Sequence, residues 1–101
     1  MAVLVHVVLP GVTREQYDAV REEVGWLDTP PDGGLVHTTW WEDDDNHNLD
    51  AWESEEHFAR FGQDRLGPAM AKLGSEAEVM PTFHSAQEVF APEAVKVTLT
   101  E

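Results

Sequence analysis

Histidines are the residues of this sequence best suited to acid–base chemistry at neutral pH, and there are five of them. Three of these, His6, His37 and His84, lie within short runs of apolar, β-branched or aromatic residues. A neutral imidazole held among such neighbours can remove a proton from an acidic C–H bond or a phenol. The sequence therefore predicts His6, His37 and His84 as candidate general bases.

The same histidines have two other interpretations. Strand histidines are often hydrogen-bonded to backbone or water and take no part in chemistry. Three imidazoles converging from separate strands could also bind zinc. The sequence contains no His-x-His or His-Glu-x-x-His pair, so no metal site is predicted. His47 follows an acidic run that lacks the glycine of a calcium loop, and His57 is expected at the surface.

Large aromatic and apolar side chains could form the walls of a pocket for a flat ligand. At helical spacing such residues normally belong to an ordinary core, and one Trp could lie in a dimer interface. Trp40 and Trp41 have opposite parity, so at most one of them shares a face with His37. The candidate substrate-binding residues are Trp40, Trp41, Trp52, Phe61, Met70 and Tyr17.

The composition limits the possible partners. The chain has 20 Asp+Glu against 6 Lys+Arg, a formal net charge of -14. This charge repels phosphate backbones and anionic lipids, so neither nucleic acid nor a membrane is predicted as a partner. There is no cysteine for disulfides or thiolate metal sites. No phosphate-binding loop or dinucleotide fingerprint occurs, so no cofactor is predicted.

The chain of 101 residues fits one domain. Its longest apolar run, Val3 to Leu9, is too short to span a bilayer. No basic segment precedes this run, as it would in a signal peptide. The predicted location is cytoplasmic.

Four runs bounded by turn residues predict strands. They cover residues 2–9, 35–41, 47–53 and a stretch within 79–90 that begins near Thr82. A charged turn is predicted at residues 42–46. The first strand is apolar on both faces, so the sheet needs a cover on each side.

Two helices are predicted between these strands. Thr13 and Gln16 have the spacing of a capping box, which starts a helix over residues 14–24. Ser54 caps a second helix, in which Gly67-Pro68 predicts a kink or a break and Gly74 a stop.

The order β-α-β-β-α-β is that of the ferredoxin-like, split β-α-β fold. This α+β fold has a four-stranded antiparallel sheet with two helices on one face. One domain is expected over residues 1–101, with its core in residues 2–90. The tail, residues 91–101, contains an alternating run that predicts an extra strand or an arm reaching a partner.

Several short motifs occur in order across residues 3–90. They are Gly-x-Thr-x-Glu-Gln-Tyr at residues 11–17, Gly-Leu-Val-His at 34–37, Trp-Glu-Ser-Glu-Glu at 52–56 and Arg-Leu-Gly-Pro at 65–68. Together they resemble small actinobacterial proteins of the dimeric α/β-barrel superfamily, which are similar to antibiotic-biosynthesis monooxygenases. The resemblance implies a homodimer that packs sheet to sheet, with a small apolar or aromatic ligand between the sheet and helices of each subunit.

The resemblance also implies an activity. The chain is expected to be a cofactor-independent monooxygenase or cyclase acting on an aromatic or polyketide-like molecule, with His37 or His84 as the base. The alternative is a non-catalytic dimeric barrel that binds a small molecule or responds to stress. Some members of the superfamily bind flavin or haem without a short motif. The haem-binding histidine of that group does not transfer to His57, which lies too early in its helix.

Overall fold

A four-stranded antiparallel sheet forms the centre of the molecule. The computed structural model describes residues 2–92. The strands are β1 (Val3–Leu9), β2 (Gly34–Glu42), β3 (Asp45–Trp52) and β4 (Thr82–Ser85), in the order β2-β3-β1-β4. The helices are α1 (Arg14–Val24), α2 (Glu55–Phe61) and α3 (Gly67–Lys72). The predicted α+β, ferredoxin-like fold is confirmed.

The two faces of β1 have different surroundings, because successive side chains of a strand point to opposite sides. Val3, Val5 and Val7 lie on the helix-facing side, where they pack with Trp52 and Phe58 in the core. The alternate residues of β1 lie on the other side of the sheet, which we call the open face. Among the described residues, this core cluster therefore lies on the helix-facing side of the sheet.

A two-residue turn, Asp43-Asp44, joins β2 to β3. Both aspartates have positive φ, 50° and 67°, as a type I′ hairpin turn requires. Aspartate tolerates this left-handed region better than most residues, but at some cost. The sequence predicts this turn over residues 42–46. The observed turn has only two residues, so both flanking strands extend further than predicted.

A bulge interrupts the pairing near the start of β2. Gly34 pairs with Trp52 and Val36 with Ala51, so Leu35 is an extra residue on the β2 side. Downstream of the bulge the pairing is regular as far as the Asp43-Asp44 turn. The turn therefore determines which face of the sheet each residue of β2 occupies beyond the bulge.

The helix boundaries follow the predicted capping signals. The Thr13 hydroxyl accepts from the Gln16 N–H, and the Gln16 side chain accepts from the Thr13 N–H, completing the capping box. Gly25 ends α1 with a φ of 73°. The Ser54 hydroxyl caps α2, and Gly74 follows α3 with a φ of 71°.

The break predicted at Gly67-Pro68 is present as a change of helix type. A π-helical segment, Gly62–Leu66, connects α2 to α3, and the Gly67 N–H donates to the Gly62 carbonyl. Proline has no N–H and clashes with the preceding turn of an α-helix. The wider π turn comes directly before Pro68, and the chain then restarts as α3 with proline in its first turn.

The fourth strand is shorter than the predicted stretch up to Phe90. Ser85 pairs with Val3, the first residue of β1, and the Ala86 N–H donates to the Ala2 carbonyl. Among residues 2–92 β1 is the strand that pairs with β4, and their pairing ends at Val3, the first residue of β1. Most of the tail predicted as a fifth strand or dimer arm lies outside the described residues.

No helix in the described part of the chain is long and apolar enough to cross a bilayer.

The Asp43-Asp44 turn yields a stability prediction. Asp44→Gly should raise the free energy of unfolding by about 1 kcal/mol, because glycine adopts positive φ without strain. The matched control is Asp44→Ala, which removes the same charge but keeps a Cβ and should destabilise the protein. Urea unfolding followed by circular dichroism measures both. Equal effects of glycine and alanine would contradict the turn assignment.

Candidate active site

A chain of three hydrogen-bonded side chains lies between the sheet and α1. The Tyr17 hydroxyl lies 2.7 Å from His37 Nε2, and His37 Nδ1 lies 2.7 Å from Asp50 Oδ1. Tyr17 comes from α1, His37 from β2 and Asp50 from β3, where it is the direct cross-strand partner of His37. The register of the β2–β3 hairpin therefore creates the His37–Asp50 pair.

With Asp50 ionised and His37 neutral, this chain of hydrogen bonds has one direction. An ionised carboxylate only accepts, so His37 Nδ1 carries a proton and donates to Asp50. The Nε2 atom of the neutral imidazole is then an acceptor, and the Tyr17 hydroxyl donates to it. Trp52 Nε1 donates to the second oxygen of Asp50 at 3.3 Å. Asp50 thus holds the tautomer in which His37 can receive a proton from Tyr17.

The surroundings of Tyr17 keep its phenol neutral. Burial raises the pKa of Tyr17 to about 12, and the nearby positive charge of Arg21 offsets only part of this effect. The side chain of His37 is 33% exposed, whereas that of Asp50 is 12% exposed. The proton acceptor is therefore reachable from solvent, and the carboxylate that orients it is shielded.

Aromatic rings surround Tyr17 and His37. Trp26 packs edge-to-face against both Tyr17 and His37, and Trp41 packs edge-to-face against Tyr17. On its other side Trp41 is covered by the Arg14 guanidinium, 4.5 Å from the ring centroid. Trp41 and Arg14 also line a groove of about 500 Å³ beside the Asp43-Asp44 turn. Tyr17, His37 and Asp50 do not line this groove, and Trp41 is the aromatic residue that contacts both the groove and Tyr17.

The helix-facing row of β3 is unusually polar. Asn46 is fully buried and Asn48 is 8% exposed. Asn48 Nδ2 donates to Asn46 Oδ1 at 2.8 Å, and Asn46 Nδ2 donates to Thr39 Oγ1 at 2.8 Å. Buried polar groups require partners and are usually avoided in a core. Asp50 continues this row, so a polar strip runs under α1 where a core would normally be apolar.

Helix α1 also leaves its side of the sheet incompletely covered. No residue of α1 is fully buried, whereas α2 and α3 bury Phe58, Ala69 and Met70. The well-packed core thus lies under α2 and α3. The space between α1 and the sheet contains the polar strip and the Tyr17–His37–Asp50 chain.

The three predicted histidines do not converge. His37 lies on the helix-facing side of β2, whereas His6 pairs with Leu49 and His84 with Leu4 on the open face. These three histidines therefore cannot bind one metal ion together, since the sheet separates His37 from His6 and His84. His6, His47 and Trp40 instead stack on the open face, with His6 Nε2 and His47 Nδ1 3.3 Å apart.

The predicted substrate-binding residues fall into three groups. Tyr17 and Trp41 lie beside His37, and Trp40 lies on the open face in the histidine stack. Trp52 and Met70 are only 3% and 6% exposed, so they offer almost no surface to a ligand. Phe61 packs against the core and contacts the ring of Trp52.

Comparisons with known proteins add evidence on the fold. No family model matches the sequence, and no curated protein matches it significantly. SnoaB, a cofactor-independent oxygenase from Streptomyces nogalater, is 18% identical with a TM-score of 0.58, covering 91% of this chain and 97% of its own. A proposed antibiotic biosynthesis monooxygenase from Chloroflexus aurantiacus is 12% identical with a TM-score of 0.63, covering 90% and 98%. Rv0793 from Mycobacterium tuberculosis is 15% identical with a TM-score of 0.58, covering 90% and 100%.

The chain has the fold of the antibiotic-biosynthesis monooxygenase-like proteins. Both chains overlap over nearly their full length in these comparisons, so the likeness extends over the whole domain. The resemblance inferred from the short sequence motifs is thereby confirmed at the level of the fold.

Sequence reasoning missed four residues of the candidate site and its surroundings: Asp50, Trp26, Asn46 and Asn48. A signal for Asp50 was present in the hairpin. Counting six residues outward from the Asp43-Asp44 turn pairs His37 with Asp50. The other residues had no such signal, because Trp26 lies in a loop and the asparagines resemble ordinary polar positions of a half-exposed strand.

The raised pKa of Tyr17 predicts a pH dependence. In the native protein this single tyrosine should ionise near pH 12, whereas in the unfolded chain it ionises near its ordinary value of 10.0. The unfolded state therefore releases its proton first, so the stabilising contribution is complete below about pH 10 and is lost as the pH rises towards 12.

Ultraviolet absorbance titration of native and urea-unfolded protein measures both midpoints directly. Tyr17→Phe keeps the ring and should remove this part of the alkaline loss of stability. Coincident native and unfolded midpoints would contradict the buried environment of Tyr17.

Proposed function

We propose that the chain is a cofactor-independent monooxygenase acting on a hydroxylated aromatic or polyketide-like small molecule. The observation that carries this proposal is the Tyr17–His37–Asp50 chain, with two successive separations of 2.7 Å. A base oriented by a carboxylate and connected to a protonated phenol is a unit built to move a proton. The fold shared with a cofactor-independent oxygenase supports this chemistry by analogy.

In this proposal, proton transfer generates the species that reacts with oxygen. The substrate donates an acidic O–H or C–H proton to the Tyr17 oxygen while the Tyr17 proton moves to His37 Nε2. The Asp50 carboxylate stabilises the imidazolium that forms. The high pKa of Tyr17 disfavours a free phenolate, so the two transfers occur together.

The deprotonated aromatic ring then supplies the electrons. A ring methylene, R₂CH₂, reacts with O₂ to give R₂C=O and H₂O, so the substrate carbon is oxidised and dioxygen is reduced. One oxygen atom enters the new carbonyl and the other leaves as water. The aromatic rings of Trp26 and Trp41 provide apolar surfaces beside a flat substrate.

This mechanism predicts the effect of replacing each residue of the Tyr17–His37–Asp50 chain. His37→Gln and Asp50→Asn should each lower kcat by about a hundredfold to ten-thousandfold, the usual contribution of general-base catalysis. Tyr17→Phe should lower kcat comparably, because it removes the oxygen that passes the proton from the substrate to His37. Asp28→Asn is the matched control, since Asp28 is an exposed loop residue outside the site.

The assay follows oxygen consumption with a dihydroxyanthrone as the test substrate and identifies the quinone product by mass spectrometry. Equal activity of His37→Gln and the wild type would remove His37 from the mechanism.

The groove beside Trp41 favours the second candidate function, binding without turnover. Its aromatic wall and its volume of about 500 Å³ suit a small flat ligand. Quenching of tryptophan fluorescence by the anthrone without oxygen uptake would support this alternative and contradict the oxygenase.

We also propose that a second copy of the chain covers the open face. The helices lie on the opposite side of the sheet, and Val36 and Leu49 are each 38% exposed on the open face. The neighbouring Leu4 and Val8 extend the same apolar surface across β1. Exposed apolar area of this kind on a small protein is typical of an interface.

The dimer makes a measurable prediction. Light scattering after size exclusion at micromolar concentration should give twice the mass of one chain. Leu49→Glu should give monomers, because it places a charge at the centre of the covered face. Leu73→Glu is the control, since Leu73 is 44% exposed at the end of the helical segment. A monomeric wild type would contradict the dimer and the barrel.

A further inference from the structure

A second group of functional side chains lies apart from the Tyr17–His37–Asp50 site. Asp32 is in the loop before β2, Glu53 directly follows β3, and His57 is in the first turn of α2. One ligand atom from each residue lies within 4.8 Å of the others. One imidazole nitrogen and two carboxylate oxygens therefore converge from three separate parts of the chain.

The distances in this group fit an ion better than direct hydrogen bonds. His57 Nε2 lies 3.6 Å from Glu53 Oε2 and 3.9 Å from Asp32 Oδ2. Both separations exceed the reach of a normal hydrogen bond. Two ligand atoms on one tetrahedral zinc ion are about 3.4 Å apart, given Zn–N and Zn–O bonds of about 2.1 Å. Small rotations of exposed side chains close this difference.

The ring of His57 is held in place on its other side. His57 Nδ1 lies 2.6 Å from Ser54 Oγ, so Nδ1 is hydrogen-bonded to the Ser54 hydroxyl. Gly33 lies directly against the ring, since a Cβ added there would be 2.4 Å from it. Metal-binding histidines usually have such a partner on the nitrogen that does not bind the metal. Nε2 is thereby directed at the two carboxylates.

The backbone around Asp32 and Glu53 is also tied together. The Glu53 N–H donates to the Gly33 carbonyl at 2.8 Å, and the Gly34 N–H donates to the Pro31 carbonyl at 3.1 Å. The two prolines preceding Asp32 restrict the loop further. These bonds hold together the backbone segments that carry the two carboxylates.

The charge of the group is not balanced by neighbouring cations. Within residues 2–92 neither Asp32 nor Glu53 forms an ion pair with lysine or arginine. Glu55 and Glu56 add negative charge in the same turn of α2. A divalent cation would neutralise the two carboxylates.

We propose that Asp32, Glu53 and His57 form a binding site for a divalent transition-metal ion such as Zn²⁺, with water completing the coordination. The imidazole selects such ions over Mg²⁺ and Ca²⁺, which prefer oxygen ligands alone. The bound ion cross-links the loop before β2 to the start of α2. Ser54 acts as a positioning residue for His57.

Isothermal titration of the full chain with ZnCl₂ tests this site. The wild type should bind one Zn²⁺ per chain, and His57→Gln and Glu53→Gln should each weaken binding at least tenfold. Glu56→Gln removes a neighbouring carboxylate that is not a ligand and should lower the affinity far less than Glu53→Gln. His84→Gln removes a distant imidazole and should keep the wild-type affinity. MgCl₂ should bind much more weakly than ZnCl₂.

A second readout separates loss of the site from loss of the fold. Zn²⁺ should raise the thermal midpoint of the wild type and of Glu56→Gln but leave His57→Gln unchanged, because only a native-state ligand stabilises the fold. The proposal is overturned if Zn²⁺ binds without a stoichiometric site. It is also overturned if His57→Gln binds as tightly as the wild type, or if Mg²⁺ matches Zn²⁺.

Discussion

Alternation of side chains across the sheet is the constraint on which the rest of the structure depends. Because neighbouring residues of a strand point to opposite faces, the position of one turn assigns every residue of the hairpin to one side. The Asp43-Asp44 turn places His37 opposite Asp50 under α1 and places Trp40 opposite His47 on the open face. The candidate site and the candidate interface are therefore two consequences of one register, and neither can change without the other.

The helix-facing side of the sheet has an apolar part and a polar part. Under α2 and α3 it is an ordinary apolar core, with Val5 fully buried. Under α1 it carries a polar row that ends at Asp50, and its buried polar side chains within residues 2–92 all have hydrogen-bond partners. Satisfied networks of this kind give up apolar burial but hold side chains in one arrangement. The apolar core and the polar residues of the candidate site thus lie in different halves of a small domain.

Local signals in the sequence predicted the elements well, because capping and turn preferences act over a few residues. The Thr13–Gln16 capping box and the stop at Gly74 are examples. The same reasoning could not tell that His37 and His84 face opposite sides, since this depends on how distant strands pair. It also missed the partner of His37, because the turn was placed over five residues instead of two. The buried asparagines escaped notice because burial is a property of the assembled fold.

The extra residue at Leu35 separates two regions that would otherwise be rigidly linked. On one side of this bulge lies the loop that carries Asp32, and on the other side the regular ladder that carries His37. A change in the length of the loop can be absorbed at the irregularity without moving the ladder, whose alignment is set from its far end. The Tyr17–His37–Asp50 chain therefore keeps its geometry even if this loop changes in length.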